Sequence, residues 1–206
     1  MVSLTFRNLL KQPGARLATD QKNSADWFRN LALQVNKVNT DQLINTSEPF
    51  KRIVKISETS IGKMYMFTYD PKLKTKLPYY DIYPLIFPIE YYNDGFLGLN
   101  FHYLPPLARA ALMDSLYELI NNDKQNKTTK LQISYKILKN AAQAEYIKPC
   151  IKRYLFNHVK SNFLYIAPDE WNIALMLPTQ KFVRTTSSGT ESQVSTATVY
   201  KGLTRI

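Results

Sequence analysis

The chain contains one Gly-Lys pair, Gly62-Lys63, of the kind that binds nucleotide phosphates in P-loops. A P-loop requires the pattern G-x-x-x-x-G-K-[S/T], because its glycines allow backbone N–H groups to surround the phosphates. Here Ser57 stands at the position of the first glycine, and Met64 stands where a hydroxyl residue would bind magnesium. Two of the four required features are missing, so the segment does not predict an ATPase site.

Asp70, Pro71 and Lys72 have the acid-x-lysine spacing found in metal-dependent nucleases. Such enzymes hold Mg²⁺ with clustered carboxylates and stabilise the charge at phosphorus. Pro71 breaks the strand that should carry the lysine, and the nearest upstream acid is Glu58. The pattern therefore favours a turn that starts at Asp70-Pro71 over a nuclease site.

Cys150 is the single cysteine, and its neighbours Lys148, Lys152 and Arg153 are of the kind that activate a thiol. A nucleophile also needs a base, and His158 lies about 12 Å away along a predicted helix with a rise of about 1.5 Å per residue. We therefore expect Cys150 to be a small buried residue.

One cysteine and two histidines, His102 and His158, exclude a disulfide framework, a multi-cysteine zinc site and a three-histidine metal site. We expect both histidines to be packing or surface residues, not ligands. The sequence therefore predicts no cofactor, no metal and no enzymatic activity.

The net charge of +11 is distributed unevenly along the 206 residues. Residues 124–160 carry +8 and residues 51–76 carry +5, whereas residues 77–123 carry −5. A positive surface attracts polyanions and speeds their encounter. The charge indicates a nucleic-acid partner or a solvated basic face. In a third alternative, the acidic block pairs with a basic block, within the chain or in a neighbouring subunit.

The basic residues of two segments are the predicted nucleic-acid contacts. Lysines three or four residues apart on a helix can lay ammonium groups along a phosphate backbone. A block rich in lysine suits non-specific charge neutralisation more than bidentate reading of guanine. The predicted contacts are Lys124, Lys127, Lys130, Lys136, Lys139, Lys148, Lys152, Arg153 and Lys160, together with Lys72, Lys74 and Lys76.

Three tyrosines, Tyr69, Tyr79 and Tyr80, lie close in sequence to the lysines at 72, 74 and 76. These lysines would share one face if the segment were extended. The tyrosines could stack on unpaired bases at a DNA end, and ordinary packing in the core and its rim is the alternative. The combination suggests nucleic-acid binding without matching a named DNA-binding motif.

Strand signals precede helix signals along the chain. Aromatic residues and the turn Asn93-Asp94-Gly95 predict a hairpin between 83–92 and 96–103. The first of these segments is expected to be an edge strand or an extended segment and not a central strand, because it contains two prolines. Helices are predicted over 105–120, 129–142 and 147–160, with a short one from Asp169. This order indicates an α+β fold, with a small antiparallel sheet (about residues 51–103) followed by a three- to four-helix segment.

A length of 206 residues, 45% of them hydrophobic, fits one domain with extensions. We expect a basic N-terminal arm over 1–22, a single α+β domain over 23–183 and a Ser/Thr-rich tail over 184–206. The tail would be disordered alone or add a strand to a partner. No run approaches 18 apolar residues, so no membrane partner is expected.

Several segments resemble a virion protein of contractile-tailed bacteriophages, the DNA end protector (head completion) protein family. They are MYMFTYDPK (64–72), LPYYDIYPL (77–85), NDGFLGLNFHYLP (93–105), KPCIKRYL (148–155) and EWNIA (170–174). The resemblance covers about residues 24–183 and provides no catalytic residue.

The resemblance implies a minor virion protein that binds the ends of packaged linear double-stranded DNA near the portal and shields them from a host exonuclease. It would be present in the host cytoplasm during assembly and after injection. The alternative is a structural neck, tail or baseplate component. In either case its partners would be other virion proteins in an oligomeric assembly.

Overall fold

Two antiparallel sheets form the framework of the computed structural model. The first has six strands in the order β1-β7-β2-β4-β5-β6, and the second has three in the order β3-β8-β9. The strands are β1 (Arg52–Ile53), β2 (Met64–Met66), β3 (Tyr80–Asp81), β4 (Leu85–Tyr92), β5 (Gly95–Asn100), β6 (Ile151–Leu155), β7 (Phe163–Ile166), β8 (Phe182–Thr185) and β9 (Glu191–Gln193). The structure describes residues 40, 44, 52–53, 56–105, 108–109, 112, 116, 135–136, 138, 140, 147–167 and 171–203.

Helical segments connect or flank these strands. The described α-helices with defined bounds are α1 (Trp171–Met176) and α2 (Thr196–Leu203). Single 3₁₀ turns occur at Glu58–Ser60, Phe101–Tyr103, Lys148–Cys150 and Phe156–His158. In the part of the chain that the structure describes, no helix has both the length and the apolar character needed to cross a membrane.

The predicted α+β architecture, a small sheet over 51–103 followed by three to four helices, is wrong. The described chain is mostly β. In the six-stranded sheet, β6 lies within the predicted third helix, and β7 lies between the predicted third helix and the short helix predicted from Asp169. Residues 147–160, the predicted third helix, form β6 between two 3₁₀ turns. Within the predicted helices 105–120 and 129–142, the described residues 108, 109, 112, 116, 135, 136, 138 and 140 have helical backbone, residue 105 does not, and the other residues of these predictions lie outside the described residues.

The hydrophobic spacing misled the prediction for 147–160, because over so short a run it fits either a helix or a strand. Pairing with β5 decides between them. Phe96 lies opposite Tyr154 and Gly98 lies opposite Lys152 in this ladder. The pairing satisfies the backbone hydrogen bonds of both strands and brings Tyr154 onto the ring of Phe96, with 5.3 Å between ring centroids.

The predicted hairpin is confirmed, with Tyr92 opposite Gly95 across the turn Asn93-Asp94. The predicted edge position of its first strand is wrong, since β4 lies between β2 and β5. Pro88 is tolerated because the register shifts between Pro88 and Glu90, which is a β-bulge. A bulge interrupts the ladder at the point where proline lacks its N–H group.

Both faces of the six-stranded sheet are buried. Alternate residues of the strands point to opposite faces, so Met64 and Met66 enter the main core whereas Tyr65 and Phe67 enter a second, aromatic core. The main core also takes Trp171 of α1, Phe182 of β8 and Val199 of α2. The aromatic core lies on the other face and is closed by rings such as Phe163, whose centroid lies 4.8 Å from that of Phe67.

Arg109 fastens the last helix to this framework. The residue is 3% exposed, and its guanidinium donates to the carbonyl oxygens of Leu104, Leu175 and His102 and to the hydroxyl of Tyr200. Burial lowers the pKa of Arg109. The single basic residue of the acidic block is therefore a structural clamp that holds α2 on the main core.

Gly95 determines how closely β6 can approach β5. A Cβ atom at this position would lie 2.0 Å from the carbonyl oxygen of Tyr154. We expect Gly95→Ala to displace β6 and to lower the free energy of unfolding by more than the ~1–3 kcal/mol typical of overpacked cores. Urea denaturation measures the change.

Gly98→Ala is the matched control for this prediction, because its Cβ would meet only side-chain atoms, the nearest at 3.3 Å. Those side chains can move by a few tenths of an ångström. We therefore expect Gly98→Ala to lower the free energy of unfolding less than Gly95→Ala does. Equal losses for the two variants would contradict the close approach at Gly95.

Candidate nucleic-acid interface

A cleft of about 270 Å³ opens between β6 and the segment that leads into β3. Five tyrosines line it, and Lys152 and Arg153 provide its positive charge. The wall opposite β6 is formed by Pro71, Leu77 and the residues that follow. We call this site the tyrosine cleft; its five rings are Tyr69, Tyr79, Tyr80, Tyr103 and Tyr154.

The floor of the tyrosine cleft is anchored by the buried carboxylate of Asp81, which is 3% exposed. Its Oδ1 accepts hydrogen bonds from the backbone N–H groups of Tyr83 and Lys181, each at 3.2 Å. Its Oδ2 accepts from Asn100 at 3.2 Å and from the His102 ring at 2.7 Å. Four donors compensate the buried negative charge, which would otherwise be costly to desolvate.

The chain of hydrogen bonds continues from His102 to Thr179. Since a carboxylate only accepts, His102 Nδ1 carries the proton toward Asp81, and in the neutral ring Nε2 accepts from the Thr179 hydroxyl at 3.0 Å. The order Asp–His–Thr is that of a nucleophilic triad. However, His102 is 0% and Thr179 1% exposed, so a substrate cannot reach the hydroxyl. The geometry supports a structural network, and the expectation that His102 is a packing residue is confirmed.

Lys152 is the more buried of the two cations that line the tyrosine cleft. Its Nζ lies 4.2 Å from the centroid of the Tyr103 ring, a cation–π contact. No carboxylate of the described residues lies within ion-pair distance of it. Burial lowers the pKa of Lys152. A partly desolvated ammonium without a carboxylate partner interacts strongly with an anion that enters the cleft, because the local dielectric constant is low.

Arg153 lies at the rim and already has partners. Its guanidinium stacks on the Tyr92 ring at 3.8 Å and forms an ion pair with Asp94 at the hairpin tip. Asp94 belongs to the acidic block and Arg153 to the block with the largest positive charge. The charge pattern of the sequence allowed for ion pairs between the acidic block and a basic block of the same chain, and Arg153 with Asp94 is one such ion pair.

The three lysines of the segment 71–77 have different environments. The segment is a series of turns, with the Lys74 and Lys76 N–H groups donating to the carbonyl oxygens of Pro71 and Leu73. Lys74 forms ion pairs with Asp70 at 3.0 Å and Glu191 at 3.7 Å, which tie the segment to β9. Lys72 and Lys76 are exposed. The common face predicted for an extended segment is therefore not formed, and two of the three lysines are available to a partner.

The other predicted contact residues are more scattered. Lys136, Lys148 and Lys160 are exposed. The backbone N–H of Lys160 donates to the carbonyl oxygen of Thr68, the residue before Tyr69 of the cleft. Lys124, Lys127, Lys130 and Lys139 lie outside the described residues. The structure thus brings Lys152 and Arg153 together with the segment that carries Lys72 and Lys76.

The three tyrosines chosen from the sequence all reach the cleft, with different roles. The Tyr69 hydroxyl accepts from the Leu155 N–H group at the free edge of β6, and the Tyr80 hydroxyl donates to Glu191. Both rings are less than a tenth exposed, so packing is their main role. Tyr79 is half-buried and stacks on Tyr103, with 6.1 Å between centroids.

The remaining candidates for chemistry have structural environments. Cys150 is fully buried, as expected, and burial raises the pKa of its thiol to about 12. Asp70 pairs with Lys74, and its carbonyl oxygen accepts from the His158 ring. Within the described part of the chain, no three histidine, cysteine or acidic residues are grouped so that they could hold a metal ion.

Sequence reasoning missed Tyr103 and Asp81 as parts of the site. Tyr103 lies in a 3₁₀ turn beyond β5, and Asp81 lies in β3, within residues 77–123, which carry −5. One signal was present, since strand alternation places Lys152 and Tyr154 on the same face of β6. The predicted helix over 147–160 does not use this alternation, because a helix places residues three or four apart on one face.

Basic side chains beside a cleft lined by aromatic rings are typical of proteins that bind nucleic-acid strands. The family model of the Phage T4 terminal DNA protecting protein matches residues 2–200, so the chain belongs to this family. The match confirms the resemblance seen in the sequence. No curated protein and no solved structure matches the chain significantly.

The His102 network predicts a loss of stability in mild acid. Burial lowers the pKa of His102 below its ordinary value of 6.5, with Asp81 opposing this effect and Arg109 adding to it. The unfolded chain therefore binds a proton near pH 6.5 that the folded chain does not. We expect the free energy of unfolding to fall between pH 6.5 and 5, by up to about 1.4 kcal/mol per unit. Urea denaturation across this range measures it.

The two histidines provide a matched pair of variants for this measurement. His102→Gln removes the buried titrating ring and is expected to flatten the pH dependence in this window. His158→Gln leaves the buried network intact and is expected to keep the wild-type slope. The same slope for both variants would assign the acid sensitivity to other groups.

Proposed function

We propose that this protein binds the ends of packaged linear double-stranded DNA in the virion and shields them from a host exonuclease without catalysis. Family membership supports a role in protecting terminal DNA. Binding to DNA is supported by the position of two basic segments, 71–77 and β6, on the walls of the tyrosine cleft. Lys152 lies inside the cleft, and Lys72 and Lys76 are exposed beside it.

Contacts to the duplex are proposed to be electrostatic and independent of sequence. Exposed lysines neutralise phosphates and release counterions, which supplies most of non-specific DNA affinity. Lys72, Lys76, Lys148 and Lys160 are the exposed candidates, and Lys136 is a further one. Lys74 is not among them, because Asp70 and Glu191 already neutralise it.

The position in the particle is part of the proposal. A protein that covers genome ends acts near the portal, where it contacts other virion proteins, and it is present in the host cytoplasm during assembly and after injection. The basic arm over 1–22 is proposed to add to DNA or subunit contacts. A neck, tail or baseplate role remains the alternative and predicts no protection of linear DNA.

Replacing two exposed lysines tests the electrostatic interface. The double variant Lys72→Gln/Lys76→Gln is expected to bind linear duplex more weakly and to protect it less from a double-strand exonuclease. Each lost phosphate contact reduces the slope of log affinity against log salt by about 0.9, so the slope should change by about 1.8. Both side chains are exposed, and stability should therefore be unchanged.

Lys63→Gln is the matched control. Lys63 lies just before β2, whereas the tyrosine cleft begins at Tyr69, beyond the other end of that strand. This substitution removes one positive charge and leaves the segment 71–77 unchanged. An unchanged salt slope in the double variant would reject this surface. A wild-type protein that neither binds linear duplex nor delays the exonuclease would reject the function and favour the neck, tail or baseplate alternative.

A further inference from the structure

We propose, building on the proposed function, that the tyrosine cleft holds the terminal nucleotide of one DNA strand, unpaired from its partner. Its phosphate would lie at Lys152 and its base against Tyr79. This assigns end recognition to the cleft, whereas the exposed lysines around it bind duplex backbone wherever they meet it.

The size of the cleft restricts what can enter. Its volume of about 270 Å³ is slightly below that of small-molecule sites, which span roughly 300–1,000 Å³. A double helix, whose major groove alone is about 12 Å wide, cannot enter such a space. A single nucleotide extruded from the end is the part of a DNA duplex that matches it.

The chemistry of the walls matches the two parts of a nucleotide. Lys152 supplies a half-buried ammonium whose only close partner in the described chain is the face of the Tyr103 ring. The one acid in the lining, Asp81, has both carboxylate oxygens occupied by protein donors. An incoming phosphate therefore meets an available cation rather than a free carboxylate.

The apolar part of the cleft is aromatic where a base would lie. Tyr79 is half-buried, in contrast to Tyr69 and Tyr80, so it retains ring surface for a ligand. Its packing against Tyr103 and Phe182, at 6.1 Å in each case, holds the ring in place. Stacking on an aromatic ring is tolerant of sequence, because every base has a π-face.

This arrangement favours ends over the interior of a duplex. Taking a base out of the stack costs a few kcal/mol inside a helix and least where the base is already unpaired. A DNA terminus can offer its last nucleotide after one base pair opens. The exposed lysines make no such distinction, so preference for ends arises from the cleft alone.

Competition binding at one salt concentration tests the proposal with three DNA probes of the same length. They are a linear duplex with paired ends, the same duplex with mismatched terminal pairs, and a relaxed covalently closed circle. The wild-type protein is expected to prefer linear over circular DNA. It should bind the mismatched ends up to about tenfold more tightly than paired ends, the factor that one base-pair step of about 1.4 kcal/mol provides.

Lys152→Gln and Tyr79→Leu are expected to lose the preference for mismatched ends and to keep salt-dependent binding to the circle. Lys63→Gln and Tyr91→Leu are the matched controls, because Lys63 and the half-buried Tyr91 do not line the cleft. Both controls should behave like the wild-type protein. Retention of the preference in both cleft variants would overturn the proposal.

The outcomes separate this proposal from the function on which it rests. Equal wild-type affinity for all three probes would overturn the cleft assignment, even where protection against the exonuclease and its salt dependence persist. No binding to any probe would overturn the proposed function itself. Because the wild-type comparison needs no substitution, a variant that fails to fold does not affect the result.

Discussion

The buried carboxylate of Asp81 is the constraint on which the rest of the structure depends. It belongs to β3 of the small sheet and accepts hydrogen bonds from Asn100 at the end of β5 and from His102 just beyond it. An uncompensated carboxylate in this position would be strongly destabilising. The two sheets must therefore meet where these donors converge, and the tyrosine cleft forms at that junction.

The same junction explains the arrangement of charge. The segment 71–77 and the strand β6 carry basic residues from the two most positive parts of the sequence, which are separated by an acidic block. Lys74 and Arg153 are neutralised by nearby carboxylates, whereas Lys152 faces an aromatic ring. The basic residues of these two segments are thus divided between those paired with carboxylates, Lys74 and Arg153, and Lys152, which faces the Tyr103 ring.

Local signals were sufficient for some elements and misleading for others. The turn Asn93-Asp94-Gly95 predicts its hairpin correctly, because a two-residue loop is specified by its own residues. Pro88 misleads, since a bulge in the middle of a sheet tolerates it. Residues 151–155 mislead for a different reason: their strand form depends on β5, which lies about fifty residues earlier in the chain.

The sequence by itself determined the family and the excess of positive charge. Those properties depend on composition and on sequence motifs, which can be identified without knowing the fold. Tertiary structure alone decided that Lys152 lies on Tyr103, that Glu191 pairs with Lys74 and that Asp81 joins the two sheets. The physical reason is that each of these contacts joins residues distant in the chain or depends on burial, and no local pattern encodes the partner.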